Sequence, residues 1–284
     1  MNSAVNAVVN VARRRAADRR PCVLVFAGMD PSGGAGVAAD LQAVAGQGAH
    51  ALTVVTALTV QDNDRVYGVQ PVDSGLVLRQ AWTVVEKMTI GAVKIGIPGS
   101  AANALAIAEV IMRLRGRQPD LPVVLDPVLA SGHGDLLSRD DALKALAPLL
   151  ELATVLTPNG PEAQALTGEA QPAAQARALL ARGCRHVLIT GGHADGDEVV
   201  NRWFGPAHAA VRAGEAEREW RWPRFDGGFH GSGCTLASAI AGQLALGAPT
   251  AGALSLAQQY THGALRDAYA VAAGQRIPLR AYLN

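Results

Sequence analysis

Runs of aliphatic and β-branched residues too short to be helices punctuate this chain at 22–27, 52–60, 92–97, 123–125, 154–156 and 186–190. Longer stretches rich in Ala and Leu lie between them. That alternation predicts a parallel sheet joined by crossover helices. The runs are apolar throughout rather than at every second position, the pattern of strands covered on both faces, so helices are expected on both sides of the sheet. Between Val199 and Pro223 the pattern shortens around Trp203, Phe204, Trp220 and Trp222, which predicts an antiparallel hairpin or edge pair. Helical patterning returns from Gly233 through Leu246 and from Thr250 to about Ala272. The longest uncharged stretch, Leu41 to Gln61, is long enough to span a bilayer, but Gln42, Gln47, His50 and its glycines make it a poor membrane segment. It reads as helix, turn, strand. No repeat or Pro/Ser-rich linker divides the chain, so one α/β unit is expected over 21–284, behind a flexible Arg-rich tail at 1–20.

Composition narrows the class. Of 284 residues 49% are hydrophobic and only 4% aromatic, with 31 Gly, which suits helices packed on a sheet of small β-branched residues better than an all-β sandwich. A net charge of +1 argues against nucleic acid or an acidic membrane as the main partner, because counterion release needs a concentrated basic face. A small-molecule partner is expected. Cys22, Cys184 and Cys234 have neither zinc-site nor disulfide spacing, which points to a reducing, cytoplasmic setting. The arginines at 13–15, 19 and 20 follow a weakly apolar run, the reverse order of a secretory signal, and leave an organelle transit peptide as a minor alternative.

Ligands of open α/β sheets bind beyond the carboxyl ends of the strands. The chemically unusual residues of this chain fall at those ends. The loop Asp30-Pro31-Ser32-Gly33-Gly34-Ala35-Gly36 has little side-chain bulk. It is either a plain strand-to-helix turn or a loosened dinucleotide fingerprint, although its glycines stand well beyond Gly28 at the strand end. No Gly-Lys-Ser/Thr follows, so a Walker loop is excluded. Gly231-Ser232-Gly233-Cys234 precedes a helix, and its backbone N–H groups should converge into an anion cradle at the positive end of the dipole. The same dipole is expected to lower the Cys234 thiol pKa and make it a proton acceptor; a small packed cysteine is the bland alternative. Asn159 and Glu162, three residues apart, can share a metal or water or simply cap a helix, and Asp126 is a second acidic contributor or a turn former. Gln61, with an amide donor and acceptor, can read the edge of a polar ring or sit in a solvated turn. Asp40 can cap, pair or bind ligand. His133, His193 and His230 are scattered, and read as loop residues rather than a metal triad. No serine or cysteine hydrolase pattern stands out.

Taken in order, Gly28-Met29-Asp30-Pro31-Ser32-Gly33-Gly34-Ala35-Gly36, Ala39-Asp40-Leu41, Thr56-Ala57-Leu58-Thr59-Val60-Gln61, Lys94-Ile95-Gly96, Asp126-Pro127-Val128, Thr157-Pro158-Asn159-Gly160-Pro161-Glu162, Gly191-Gly192-His193 and His230-Gly231-Ser232-Gly233-Cys234-Thr235 resemble the hydroxymethylpyrimidine kinase family of the ribokinase-like superfamily. The match runs over about 22–245; the last forty residues add little to it. The resemblance implies a three-layer α/β/α fold, commonly dimeric, and two successive ATP-dependent phosphorylations of a hydroxymethylpyrimidine. It implies that Gly28, Asp40, Gln61, Ile97 and Val128 line the pyrimidine pocket and that Gly231 to Cys234 form the anion hole. Asn159 and Glu162 would belong to the Mg²⁺ and phosphate motif; Asp126 stays the second acidic metal candidate read from the residues themselves. Cys234, where many superfamily members carry Asp, is shared with a type of pyridoxal kinase. Two departures stand out: Ile97 replaces a common Met, and Thr190 replaces a Lys before Gly191. The stretch 129–135 also lacks an expected lysine, and the chain has only Lys87, Lys94 and Lys144. The ATP phosphates would then rely on Mg²⁺, backbone N–H groups, the Thr190 hydroxyl or an unplaced arginine, with Asn159, Thr190 and Gly191 as the expected ATP contacts. The alternatives are a pyridoxal or pyridoxine kinase, a non-catalytic pyrimidine-binding protein and, on the glycine pattern alone, a nicotinamide oxidoreductase.

Overall fold

The computed structural model describes residues 19–129, 142–205 and 218–280. Its spine is a nine-stranded sheet of β1 (Cys22–Met29), β2 (His50–Gln61), β3 (Val66–Pro71), β4 (Ile90–Ile95), β5 (Val123–Leu125), β6 (Val155–Leu156), β7 (His186–Ile189), β8 (Glu198–Phe204) and β9 (Arg218–Pro223). The strand order is β3-β2-β1-β4-β5-β6-β7-β8-β9. The six strands from β2 to β7 are parallel, and β3, β8 and β9 join antiparallel. The expected hairpin is therefore β8–β9. β3 went unforeseen: Val66-Tyr67-Gly68-Val69-Gln70-Pro71 mixes polar, glycine and proline positions, as an edge strand can, and Tyr67 is 69% exposed.

Among the described residues eight helices cover the sheet: α1 (Gly36–Gly46), α2 (Ser74–Val85), α3 (Ala101–Arg115), α4 (Ala142–Leu150), α5 (Gly160–Thr167), α6 (Pro172–Ala181), α7 (Ser232–Ala245) and α8 (Thr250–Arg266). Side chains of β1 alternate between the two layers. Leu24 and Phe26 pack with α2 to α6 through residues such as Val77, Ile107, Leu149 and Leu179. Val23, Val25 and Ala27 pack with α1, α7 and α8 through Val44, Ile240 and Leu254. Both faces are buried, which is why β1 reads as an unbroken apolar run. Leu41 to Gln61 is the end of α1, a turn and β2, as expected.

The chain moves outward from β1 to β2 and then returns to the other side of β1 with β4. The switch point between the carboxyl ends of β1 and β4 is where this architecture leaves a crevice. Gly28 and Ile97 face one another there: a Cβ on Gly28 would lie 2.6 Å from Ile97 Cδ1.

Candidate active site

A cavity of about 650 Å³ opens along the carboxyl ends of the strands. Its walls include Gly28, Gln61, Ile97, Val128, Asp126, Asn159, Glu162, Thr190 and the whole Gly231 to Cys234 segment. Residues drawn from seven regions of the sequence thus share one space. His193 and His230 also reach it, whereas His133 and the stretch 130–135 lie outside the described residues, as do residues 1–18 of the Arg-rich tail.

Two expected ligand contacts do not face the cavity. Asp40, on α1, has a fully buried side chain; Lys94 Nζ on β4 lies 2.9 Å from it, and Ser238 on α7 donates to it at 2.7 Å. Lys94, not Asp40, reaches the cavity wall. Burial works against the Lys94 charge, yet Asp40, with Cys234 and Asp126 near, holds its pKa above the ordinary lysine range. Gly191 is the second. Its N–H donates to Asn201 Oδ1 at 3.0 Å, and a Cβ there would collide with the Val200 backbone, so a close approach between chain segments explains the glycine. Thr190, its neighbour, does face the cavity.

The cradle is built as its sequence requires. Gly231 caps α7 with φ +82°, a left-handed conformation that favours glycine, and Ser232, Gly233 and Cys234 form the first turn. The first intrahelical bond recorded there is Thr235 N–H to Gly231 O at 3.0 Å, so the preceding N–H groups are those available to an anion. Burial, not the helix dipole, governs the Cys234 thiol. Its sulfur is half-buried at the cavity surface but densely surrounded, and desolvation pushes the thiol up to about 12 despite the opposing pull of Lys94 and a hydrogen bond from Gly36 N–H.

Beside the thiol stand two carboxyl groups. Asp126 is 4% exposed and pushed up to about 6, chiefly by burial, while Lys94 and a hydrogen bond from Cys234 pull it down. Glu162 is pushed up to about 8 by burial and by the charge of Asp126. Asn159 and Glu162 also form a capping box: Glu162 Oε2 accepts from Asn159 N–H at 2.9 Å, and Asn159 Oδ1 from Glu162 N–H at 2.8 Å. The capping alternative is therefore realised, and it holds the Glu162 carboxylate against the cavity. Among the described residues no group of three or more His, Cys, Asp or Glu forms a metal cluster. The Asp126–Glu162 pair would suit Mg²⁺, a hard cation that takes carboxylate oxygens, because Asp126 Oδ2 is buried without a hydrogen-bond partner and a nearby cation would favour ionisation of both acids.

Sequence reasoning missed the parts that hold these loops. Asp30 accepts from Ser32 and Ala35 and meets His230 Nε2 at 2.8 Å; burial alone would raise its pKa, but these hydrogen bonds lower it. Arg224 on the cavity wall donates to the carbonyls of Gly192 and Gly196 at 2.8 and 2.7 Å, holding the loop after β7. Arg280, about eight residues beyond the expected end of the last helix, is 1% exposed behind the cradle. The helix itself stops at Arg266. Only a count of polar residues in an apolar tail could have flagged Arg280.

The sequence matches the family described as Phosphomethylpyrimidine kinase over residues 30–279, further toward the C-terminus than the motifs alone reached. A hydroxymethylpyrimidine/phosphomethylpyrimidine kinase of Rhizobium meliloti is 38% identical over 89% of this chain and 93% of its own. The phosphomethylpyrimidine kinase structure from Clostridium difficile 630 is 31% identical, with a TM-score of 0.70, covering 85% of this chain and 98% of its own. An ADP complex of Bacillus subtilis pyridoxal kinase is 26% identical, with a TM-score of 0.78, covering 91% and 96%. The fold is that of the ribokinase-like small-molecule kinases. Within that class, the chain belongs to the phosphomethylpyrimidine kinase family.

Proposed function

We propose that this protein phosphorylates the hydroxymethyl group of 4-amino-5-hydroxymethyl-2-methylpyrimidine, and then its monophosphate, with ATP as donor, in thiamine biosynthesis. The observation that carries the reading is the facing of the Gly28–Ile97 switch-point pocket and the Gly231 to Cys234 cradle across one cavity. The pyrimidine would lie on Gly28 between Ile97 and Val128, with Gln61 reading its edge; Gln61 Nε2 donates to Thr59 Oγ1 at 2.8 Å, which fixes the amide and leaves its carbonyl oxygen for the ring. The cradle N–H groups would hold the transferred phosphoryl, and Asn159 and Thr190 the donor phosphates. Asp126 and Glu162 would hold Mg²⁺, which when bound neutralises charge on the phosphates. Cys234 would take the alcohol proton. With its thiol pushed up to about 12, deprotonation must be drawn by the Lys94 charge and the start of α7. Positioning and charge stabilisation do the remaining work.

The proposal includes a single unit over 21–284, a cytoplasmic location and a homodimer. Among the described residues no helix is long and apolar enough to cross a membrane. Leu58, Val60 and Tyr67 on the β2–β3 edge are 53%, 65% and 69% exposed, a surface suited to a second copy. The test is incubation with Mg-ATP and the hydroxymethylpyrimidine, followed by mass spectrometry, with pyridoxine in parallel. Mono- and diphosphate are expected; pyridoxine phosphate with no pyrimidine product would move the activity to vitamin B6, the alternative that the Bacillus subtilis likeness favours.

Two variants probe the pocket and the acids. Gly28→Ala places a methyl against the end of the Ile97 side chain, which can shift, so KM for the pyrimidine should rise about tenfold with little change in Tm. Adding Ile97→Val removes the Cδ1 atom and should restore KM; steady-state kinetics decide. Glu162 has a folded pKa above its ordinary value of 4.5, so its contribution to stability is present below that pH and lost as pH rises through about 8. Glu162→Gln keeps the capping box and removes the buried charge. At pH 8.5 without metal it should raise Tm by about 2–4 °C, while the Mg²⁺ concentration needed for half-maximal turnover rises about tenfold. Thermal melts and Mg²⁺ titrations check both halves.

A further inference from the structure

We infer that Arg280 is a positioning residue for phosphoryl transfer: from behind the cradle it aims the backbone N–H groups that receive the anion. The inference deepens the kinase reading above and rests on it. Arg280 is among the largest fully buried side chains of the protein and does not line the cavity. Its Nε donates to Thr235 Oγ1 at 2.8 Å. Its Nη2 donates to the carbonyls of Gly34 and Gly231, the latter at 3.3 Å, and lies 3.5 Å from that of His230. One planar guanidinium thus ties the loop before α1, the loop before α7 and the first turn of α7 together.

The consequence follows from peptide geometry. In a trans peptide the C=O of one residue and the N–H of the next point in opposite directions. Carbonyls of His230 and Gly231 held toward Arg280 therefore send the N–H groups of Gly231 and Ser232 the other way. Thr235 Oγ1, which accepts from Arg280, donates in turn to Gly231 O at 2.7 Å, so the turn is fixed from both ends. Gly231 leaves no slack: a Cβ there would collide with Gly34 O and lie 2.7 Å from Arg280 Nη2. The C-terminal segment is itself anchored, with Tyr260 OH donating to Arg280 O at 2.6 Å, Leu279 N–H to Ala264 O at 2.9 Å and His230 N–H to Arg276 O at 2.9 Å. A lysine could not reproduce this, because a point charge lacks the planar fork that meets acceptors on separate loops.

The test compares the full chain with Arg280→Ala and Arg280→Lys in two readouts: steady-state phosphorylation of the hydroxymethylpyrimidine, and binding of inorganic pyrophosphate by calorimetry. In Arg280→Ala, kcat should fall about 10²–10³-fold, the size of losing an oxyanion donor, with KM for the pyrimidine within about threefold. Arg280→Lys should recover little, and added guanidinium at non-denaturing concentration should restore at least part of the kcat of Arg280→Ala while leaving the wild type unchanged. Pyrophosphate affinity should drop about tenfold. Unchanged kcat or pyrophosphate affinity in Arg280→Ala, or full recovery by lysine, would overturn the inference. Absence of wild-type turnover would sink the kinase reading instead, with pyrophosphate binding still deciding the role of Arg280. Should Arg280→Ala fail to fold, Thr235→Val, which removes the acceptor of Nε, should lower kcat about tenfold; no change would count against the inference.

Discussion

Asp40→Asn is expected to lower Tm by on the order of 10 °C, because it strands the Lys94 charge in a site where both side chains are fully buried. Removing one partner of a buried pair typically costs about 3–5 kcal/mol, whereas replacing the pair by apolar groups of similar volume is often neutral. The double variant Asp40→Leu/Lys94→Met should therefore melt within a few degrees of the wild type. Ser238, which donates to Asp40, can turn to a carbonyl of its own helix in the double variant. Turnover should not return with stability, since Lys94 reaches the cavity and its charge favours an ionised Cys234. Thermal melts paired with kcat separate the two effects. Recovery of both would make the pair a packing device alone.

The Lys94–Asp40 pair also shows where the sequence stops being informative. Lys94-Ile95-Gly96 and Ala39-Asp40-Leu41 both stood among the family motifs, but their contact joins β4 to α1 across the sheet, and nothing local distinguishes a paired Asp40 from one that binds ligand. The parallel strands were legible because burial on both faces leaves a one-dimensional trace in the residues themselves. β3 was not, because the edge position removes that trace. The Asn159–Glu162 box was legible as an alternative, since capping depends on residues three apart. Arg280 was invisible for the opposite reason: three of the segments it binds lie 45 to 246 residues away in sequence. The family resemblance proposes the roles of the pocket residues, and the fold puts all of the expected site residues except Asp40 and Gly191 on the cavity wall.

Cys234→Ala should lower kcat by about 10²–10⁴-fold with KM for both substrates little changed, the range for loss of a positioned general base. The start of a helix argues for an acidic thiol, but desolvation is a tertiary property, and here it outweighs both Lys94 and the Gly36 N–H. That outcome fixes the expected pH profile. With the thiol pushed up to about 12, the fraction of thiolate in the free enzyme grows roughly tenfold per pH unit throughout the neutral and mildly alkaline range. Wild-type kcat/KM should accordingly keep climbing above pH 8, after Asp126 and Glu162, at about 6 and about 8, have become ionised and competent to hold a cation. In Cys234→Ala the acidic limb set by the carboxyl pair should persist while the alkaline climb disappears. Retention of the climb in the alanine variant would assign the proton to another acceptor, and a plateau near neutrality in the wild type would show that substrate binding itself draws the thiol down.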